Sequence, residues 1–131
     1  MLLVQIPNDL PSGVIHADLF HDNALFDGHH LTGIIDWYFA GIDSYALDIA
    51  IAMNDWCFDS DDVLFQRHCE DFVQAYQTIR PLTSDEFNAI TVLQVQAATR
   101  FWLSRLLAQR EHGASNDSIT VKDPEAMKHL L

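Results

Sequence analysis

The clearest pattern in this chain is a change of hydrophobic period near residue 45. From Tyr45 to Asn54 nearly every position is apolar except Asp48, which predicts a helix buried on most of its surface. Asp59-Ser60-Asp61-Asp62 then reads as a capped, acidic first turn. The helix it opens carries Phe65, Cys69, Phe72 and Tyr76 at helical spacing and runs to about Tyr76. Pro81 breaks the chain, and Thr83 with Glu86 forms a capping-box pattern at the head of a long helix. That helix shows Phe87, Ile90, Leu93, Ala97 and Phe101 on one face. Val95, Ala98, Trp102 and Leu106 widen the face, which predicts burial on more than one side, and the helix should stop before Gly113. The polar stretch 114–120 reads as a loop, and Asp123-Pro124 as the start of a short C-terminal helix.

Before residue 45 the pattern shortens. Residues 1–13 form a lead-in in which Pro7, Pro11 and Gly13 argue against continuous helix or strand, and Val14-Ile15 is a brief apolar step. Ala24-Leu25-Phe26, a turn at Asp27-Gly28 with His29 and His30, and Leu31 to Asp36 predict a β-hairpin. Such a hairpin brings Asn23 and Asp36 close together. Residues around Gly41 and Asp43 read as a loop. The fold class is therefore α+β, mostly helical, with residues 1–131 as a single domain.

Composition narrows the functional classes. Seven Lys plus Arg against 19 Asp plus Glu give a net charge of −12, the wrong sign for nucleic acid or an anionic membrane surface. A hydrophobic share of 49% allows a real core. No segment reaches the roughly 18 apolar residues that span a bilayer, and the N-terminus lacks the basic region of a signal peptide, so the expected location is the cytoplasm. Cys57 and Cys69 are too few for a disulfide scaffold. One structural disulfide stays open beside the preferred reading of two free thiols. His21, His29, His30, His68, His112 and His129 show no metal-ligand spacing.

The candidate chemistry lies between His16 and Asp36. His16-Ala17-Asp18-Leu19-Phe20-His21-Asp22-Asn23 places a carboxylate two residues after a histidine and an amide five residues later. Ile34-Ile35-Asp36-Trp37 adds a second carboxylate at the end of a strand. A kinase catalytic loop and its metal-binding aspartate have this arrangement. In that reading Asp18 is the base toward an acceptor hydroxyl, while Asn23 and Asp36 hold Mg²⁺ across the phosphates of ATP. Hard oxygen ligands from one or two side chains suit that ion. The bland reading, an ordinary polar turn before a hairpin, explains Asp18, Asp22 and Asn23 but not the apolar-flanked Asp36.

These residues resemble the aminoglycoside phosphotransferase and choline kinase superfamily, small-molecule relatives of the protein kinases. Gly13-Val14-Ile15-His16, Ile35-Asp36-Trp37-Tyr38-Phe39-Ala40, Asn54-Asp55-Trp56-Cys57, Tyr76-Gln77 with Arg80-Pro81-Leu82, and Lys122-Asp123-Pro124 resemble its homoserine kinase branch. The resemblance implies a kinase-like C-terminal lobe whose small hairpin carries the metal site, with the N-terminal lobe and its phosphate-binding lysine absent. It implies ATP- and Mg²⁺-dependent phosphorylation of homoserine in threonine biosynthesis, and little activity from this chain alone. By the same resemblance, His16 supports the loop and Asp48 accepts hydrogen bonds from its backbone. Ala17 and His21 stand where relatives often have glycine and proline. Candidate ammonium partners are Asp22, Asp43, Asn54 and Asp55, and candidate carboxylate partners are Arg100 and Arg105. Two other readings remain: a kinase for choline, an aminosugar or another amino alcohol, and an inactive module that self-associates through exposed apolar surface.

Overall fold

The computed structural model describes residues 6–112. Within them the fold is mixed α+β and mostly helical: two small antiparallel sheets precede three helices. Strand β1 (Ser12–Ile15) pairs with β4 (Gly41–Ser44), and between them β2 (Ala24–Asp27) pairs with β3 (His30–Ile34). Helices α1 (Tyr45–Trp56), α2 (Asp62–Gln77) and α3 (Ser84–His112) follow. The loop and helix expected at 114–120 and from Asp123 lie outside the described residues.

Two expectations are corrected. Residues 41–44, read as loop, form β4, and the lead-in gives way to a strand at Ser12 rather than after Gly13. Each strand is four residues long and satisfies its backbone groups only against a partner about thirty positions away, so no local periodicity announces it. The β1–β4 ladder feeds directly into α1, where the Ser44 hydroxyl caps the helix by accepting from Leu47 N at 3.3 Å. Gly13 belongs to this ladder for a steric reason. A Cβ there would fall inside the Tyr45 hydroxyl, so only glycine lets the Tyr45 ring cross the strand. The β2–β3 hairpin turns through Gly28 at φ +58°, as its sequence predicts.

The apolar run of α1 is the centre of the core. Ala46, Ala50 and Ile51 are inaccessible to solvent, and α1 packs along α3 through Ala89, Ile90, Leu93, Ala97 and Ala98. Small residues on both helices keep the axes close. Phe65, Cys69, Phe72 and Tyr76 of α2, the predicted stripe, close the far side of this core with the buried Val73. Asp61 caps α2, its Oδ1 accepting from Val63 N at 2.9 Å and Leu64 N at 3.1 Å.

The junction of α2 and α3 has the predicted capping box and adds a buried charge. Glu86 accepts from Thr83 N at 2.9 Å, and its own N–H donates to Thr83 Oγ1 at 3.2 Å. The Glu86 side chain is 0% exposed, and its charge is met by Arg80 Nη2 at 2.6 Å. Arg80 also lies over the Tyr45 ring, 4.5 Å from the centroid, and reaches Tyr76 Oη at 3.4 Å. The Tyr76, Arg80 and Pro81 motif thus joins the start of α1 to the end of α2 and the start of α3. Removing the cation strands a carboxylate in the core, the costly way to break a buried pair. Arg80→Met should therefore lower unfolding free energy by about 3 kcal/mol. Glu86→Gln, which keeps an oxygen for Thr83 N, should cost about 1 kcal/mol. Urea denaturation of the two variants measures the difference, and equal losses would remove the ion pair from this role.

Candidate active site

The segment from His16 to Asn23 runs between the two sheets and is fastened from several sides. Its first two backbone N–H groups have no strand partner. Asp48, one turn into α1, accepts both: His16 N to Oδ2 at 3.1 Å and Ala17 N to Oδ1 at 2.8 Å. An acid in an apolar helix is tolerated because it has these donors. Ala17 sits in the left-handed region at φ 63°, unfavourable for a residue with a Cβ. Its carbonyl accepts from Arg100 Nη2 of α3 at 3.0 Å, so the strained peptide is held on both sides. The glycine that the resemblance places here would relieve that strain.

Further along, Leu19 O accepts from Trp56 Nε1 at 3.0 Å. His21 donates its N–H to Asp55 Oδ2 at 2.6 Å, and its Nδ1 meets the same oxygen at 2.6 Å. A proline at this position would supply neither contact. Asp48 and Asp55 are seven residues apart, two helical turns, and both face the loop. That spacing, with the indole beside it, is the sequence signal for the loop anchors. Through resemblance the sequence assigns Asp48 to this role; it offers Asp55 and Arg100 as substrate partners, with a surface or structural place favoured for both. Arg105, the other proposed carboxylate partner, lies 5.9 Å from the Phe20 ring centroid. Asn54 turns away from the loop and donates to Gln94 O of α3 at 2.8 Å.

His16 joins the two halves of the site. It is buried, and its Nδ1 accepts from Asp18 N at 3.2 Å while Nε2 lies 2.8 Å from Ile35 O. Only the neutral tautomer protonated at Nε2 satisfies both partners. Trp37 packs on the ring, 4.7 Å between centroids. One imidazole therefore connects Asp18 to the residue immediately before Asp36. Asn23 closes the other side: Ile35 N donates to its backbone carbonyl at 3.0 Å, and its Nδ2 donates to Asp18 O at 2.8 Å. The same Nδ2 lies 3.5 Å from Asp18 Oδ2.

The structure thus brings Asp18, Asn23 and the Ile35-Asp36 segment together. With Nδ2 engaged, Asn23 keeps Oδ1 as an acceptor. Asp36 follows β3 in a left-handed conformation, φ 58° and ψ 63°, at the head of a single 3₁₀ turn over Trp37–Phe39. A non-glycine residue held there costs on the order of 1 kcal/mol or more, and such positions cluster at functional sites. Among the described residues, no three His, Cys, Asp or Glu side chains form a metal cluster. Asn23 and Asp36 are the oxygen-bearing side chains that these two segments offer to a hard cation such as Mg²⁺, which takes most of its ligands from phosphate and water.

This geometry and the sequence define a class: the chain belongs to the phosphotransferase enzyme family (APH), whose model matches residues 1–82. Within it the chain is similar to homoserine kinases. It is 51% identical over 98 residues to the homoserine kinase of Polaromonas naphthalenivorans, covering 74% of this chain and 31% of the relative. With that of Methylobacillus flagellatus it shares 53% over 97 residues, 74% and 30% of the two chains. With that of Neisseria meningitidis serogroup B it shares 40% over 124 residues, 95% and 40%. The chain spans well under half the length of the curated relatives it matches. Among the described residues no helix is long and apolar enough to cross a membrane.

The hydrogen-bond geometry makes Asp48 the most sensitive support of the loop. Asp48→Ala leaves two N–H groups at His16 and Ala17 without an acceptor and should cost about 2–4 kcal/mol. Native-state hydrogen exchange at these two amides should accelerate in step. Unchanged exchange would show that Asp48 does not hold the loop.

Proposed function

We propose that this chain carries the catalytic loop of a kinase that uses ATP and Mg²⁺ to phosphorylate a small-molecule hydroxyl, with homoserine as the acceptor. The observation that carries the proposal is the His16 bridge, which fixes Asp18 beside Asn23 and the Asp36 segment. The similarity to enzymes named homoserine kinase supports the acceptor.

In this reading the Asp18 carboxylate accepts the proton of the acceptor hydroxyl as its oxygen attacks. Asn23 Nδ2 donates to the Asp18 backbone carbonyl and lies 3.5 Å from Asp18 Oδ2, which orients the carboxylate. Asn23 Oδ1 and the Asp36 carboxylate hold the metal. When bound, Mg²⁺ neutralises the charge of the transferring phosphoryl group. Asp22 is the acceptor's ammonium partner in this proposal, Asp55 being committed to the backbone and ring of His21. Arg100 is committed to the Ala17 carbonyl and holds the loop instead of a carboxylate.

The lobe is read as kinase-like and cytoplasmic, and its metal-carrying hairpin as the face that meets the nucleotide. Large apolar side chains on and beside that hairpin are exposed, among them Phe26, Leu31, Trp37, Tyr38, Phe39 and Ile42. Covering by the remainder of a longer enzyme, or by a second copy, fits such a surface.

The test uses this chain extended to the length of the homoserine kinases it matches. Asp18→Asn should lower kcat by 10²–10⁴-fold with KM for ATP little changed, the usual worth of a positioned base. Retention of normal turnover would remove Asp18 from the chemistry. An acceptor panel of homoserine, choline, ethanolamine and an aminosugar should give its highest kcat/KM with homoserine. A preference for another amino alcohol would keep the mechanism and change the substrate.

A further inference from the structure

Asn54, in the last turn of α1, is only 2% exposed, and half of its amide is satisfied. Its Nδ2 donates to Gln94 O of α3 at 2.8 Å, whereas Oδ1 has no partner. A buried carbonyl oxygen without a donor is costly, and in a native fold such a group points to a ligand, an ion or a water. Asn54 lines a cavity of about 200 Å³ where the start of α2 faces the first half of α3. Asp59, Asp62, Thr91 and Gln94 line the same space. Gln94 turns its Nε2 toward Cys69 Sγ, 3.9 Å away, and so keeps Oε1 as an acceptor. Asp59 Oδ1 accepts from Asp61 N at 2.9 Å.

Among the described residues no Lys, Arg or His lines this cavity. Its polar lining is rich in acceptors and negatively charged, which selects a positively charged donor. The positive end of α2 does not reverse that sign, because Asp61 accepts from Val63 N and Leu64 N and covers it. The rest of the lining is apolar. Phe65 and Val95 complete the cavity. Asp62, Phe65, Thr91 and Gln94 also line an adjoining groove of about 730 Å³, which continues between α2 and α3 past Val73, Phe87 and Ile90. A ligand that fits both spaces is charged at one end and hydrocarbon at the other.

We propose that the space between the start of α2 and α3 binds a small primary amine with an apolar tail. A primary ammonium brings three N–H donors, and Asn54 Oδ1 with the carboxylates of Asp59 and Asp62 takes them. The tail lies along the groove, against Phe65, Val73 and Ile90. A quaternary ammonium has the charge but no N–H, so it would leave Asn54 Oδ1 unpaired. No residue from His16 to Asp36 lines either space, and Asn54 faces α3 instead of the loop. The site is therefore separate from the proposed phosphoryl transfer and does not rest on that reading.

The test titrates the folded chain at neutral pH with n-pentylammonium chloride and follows amide chemical shifts, without any assay of phosphoryl transfer. Saturable one-to-one binding is expected, with a Kd of about 1 mM for a ligand of about six heavy atoms. The largest shifts should fall at Asn54, Thr91 and Gln94. Three analogues each remove one feature. 1-Pentanol lacks the charge, methylammonium lacks the tail, and trimethylpentylammonium lacks the N–H donors. Each should bind at least about tenfold more weakly. Asp59→Asn combined with Asp62→Asn should weaken pentylammonium binding about tenfold as well. Neither residue belongs to the hydrophobic core, and asparagine at 59 still offers an oxygen to Asp61 N, so the fold is kept, as circular dichroism verifies. No saturable binding, equal affinity for any of the three analogues, or undiminished binding by the double variant would overturn the proposal. Shifts gathered at Trp37, Tyr38 and Phe39 would overturn it too, since they place the amine on the exposed face beside the hairpin.

Discussion

The two hydrogen bonds from His16 and Ala17 to the Asp48 carboxylate are the constraint on which the site depends. A loop that leaves one sheet and returns toward another has backbone donors with no ladder to join, and burying them unpaired is costly. A single carboxylate on the buried helix satisfies both. It also sets the height of the loop above α1, and from that height the other anchors follow. Trp56 reaches Leu19 O, Asp55 reaches His21 N, and Arg100 reaches Ala17 O from the neighbouring helix. The site is thus registered against the α1–α3 core, not against the small sheets beside it.

His16 turns this local arrangement into a two-part site. A ring that accepts from Asp18 N and donates to Ile35 O needs one tautomer and one orientation, and Trp37, tilted at 55° against it, limits rotation. A protonated imidazole would have no lone pair for Asp18 N, so the geometry requires the neutral ring. This is a reason for a histidine at a position that does no chemistry in the proposed mechanism. Asparagine or glutamine offers the same donor and acceptor in a different shape and without the aromatic contact.

The helices and the hairpin were legible because each carries its own signal. The apolar run of α1, the stripe of α2, the Thr83–Glu86 box and the turn at Gly28 are all local patterns. Strand β4 was not legible, since its reason for existing is β1, far away in the chain. The same division holds at the site. Asp18, Asn23 and Asp36 stand out as a spaced motif, and the fold places their segments together. The roles of Asp55, Trp56 and Arg100 depend on which face of a helix meets a loop. An acid, an indole and a guanidinium suit substrate binding as well as backbone anchoring, and only the distances decide between the two.

Backbone strain links these points. Ala17 and Asp36 are the described non-glycine residues with positive φ; the first precedes a proposed chemical group, Asp18, and the second is one. Neither conformation follows from local preference, which for both residues favours negative φ. Each is imposed from outside: Ala17 by Asp48 and Arg100, and Asp36 by the Ile35 peptide, whose N–H is bound to Asn23 O and whose carbonyl is bound to His16. A strain of about 1 kcal/mol or more at each position persists only where such bonds over-determine the geometry. Loosening α1 from α3 would therefore release Arg100 and Asp48 together, and the loop would relax before the helices melted. The loop geometry and the hydrophobic core are in this sense one structure, with the core supplying the rigidity that the strained loop needs.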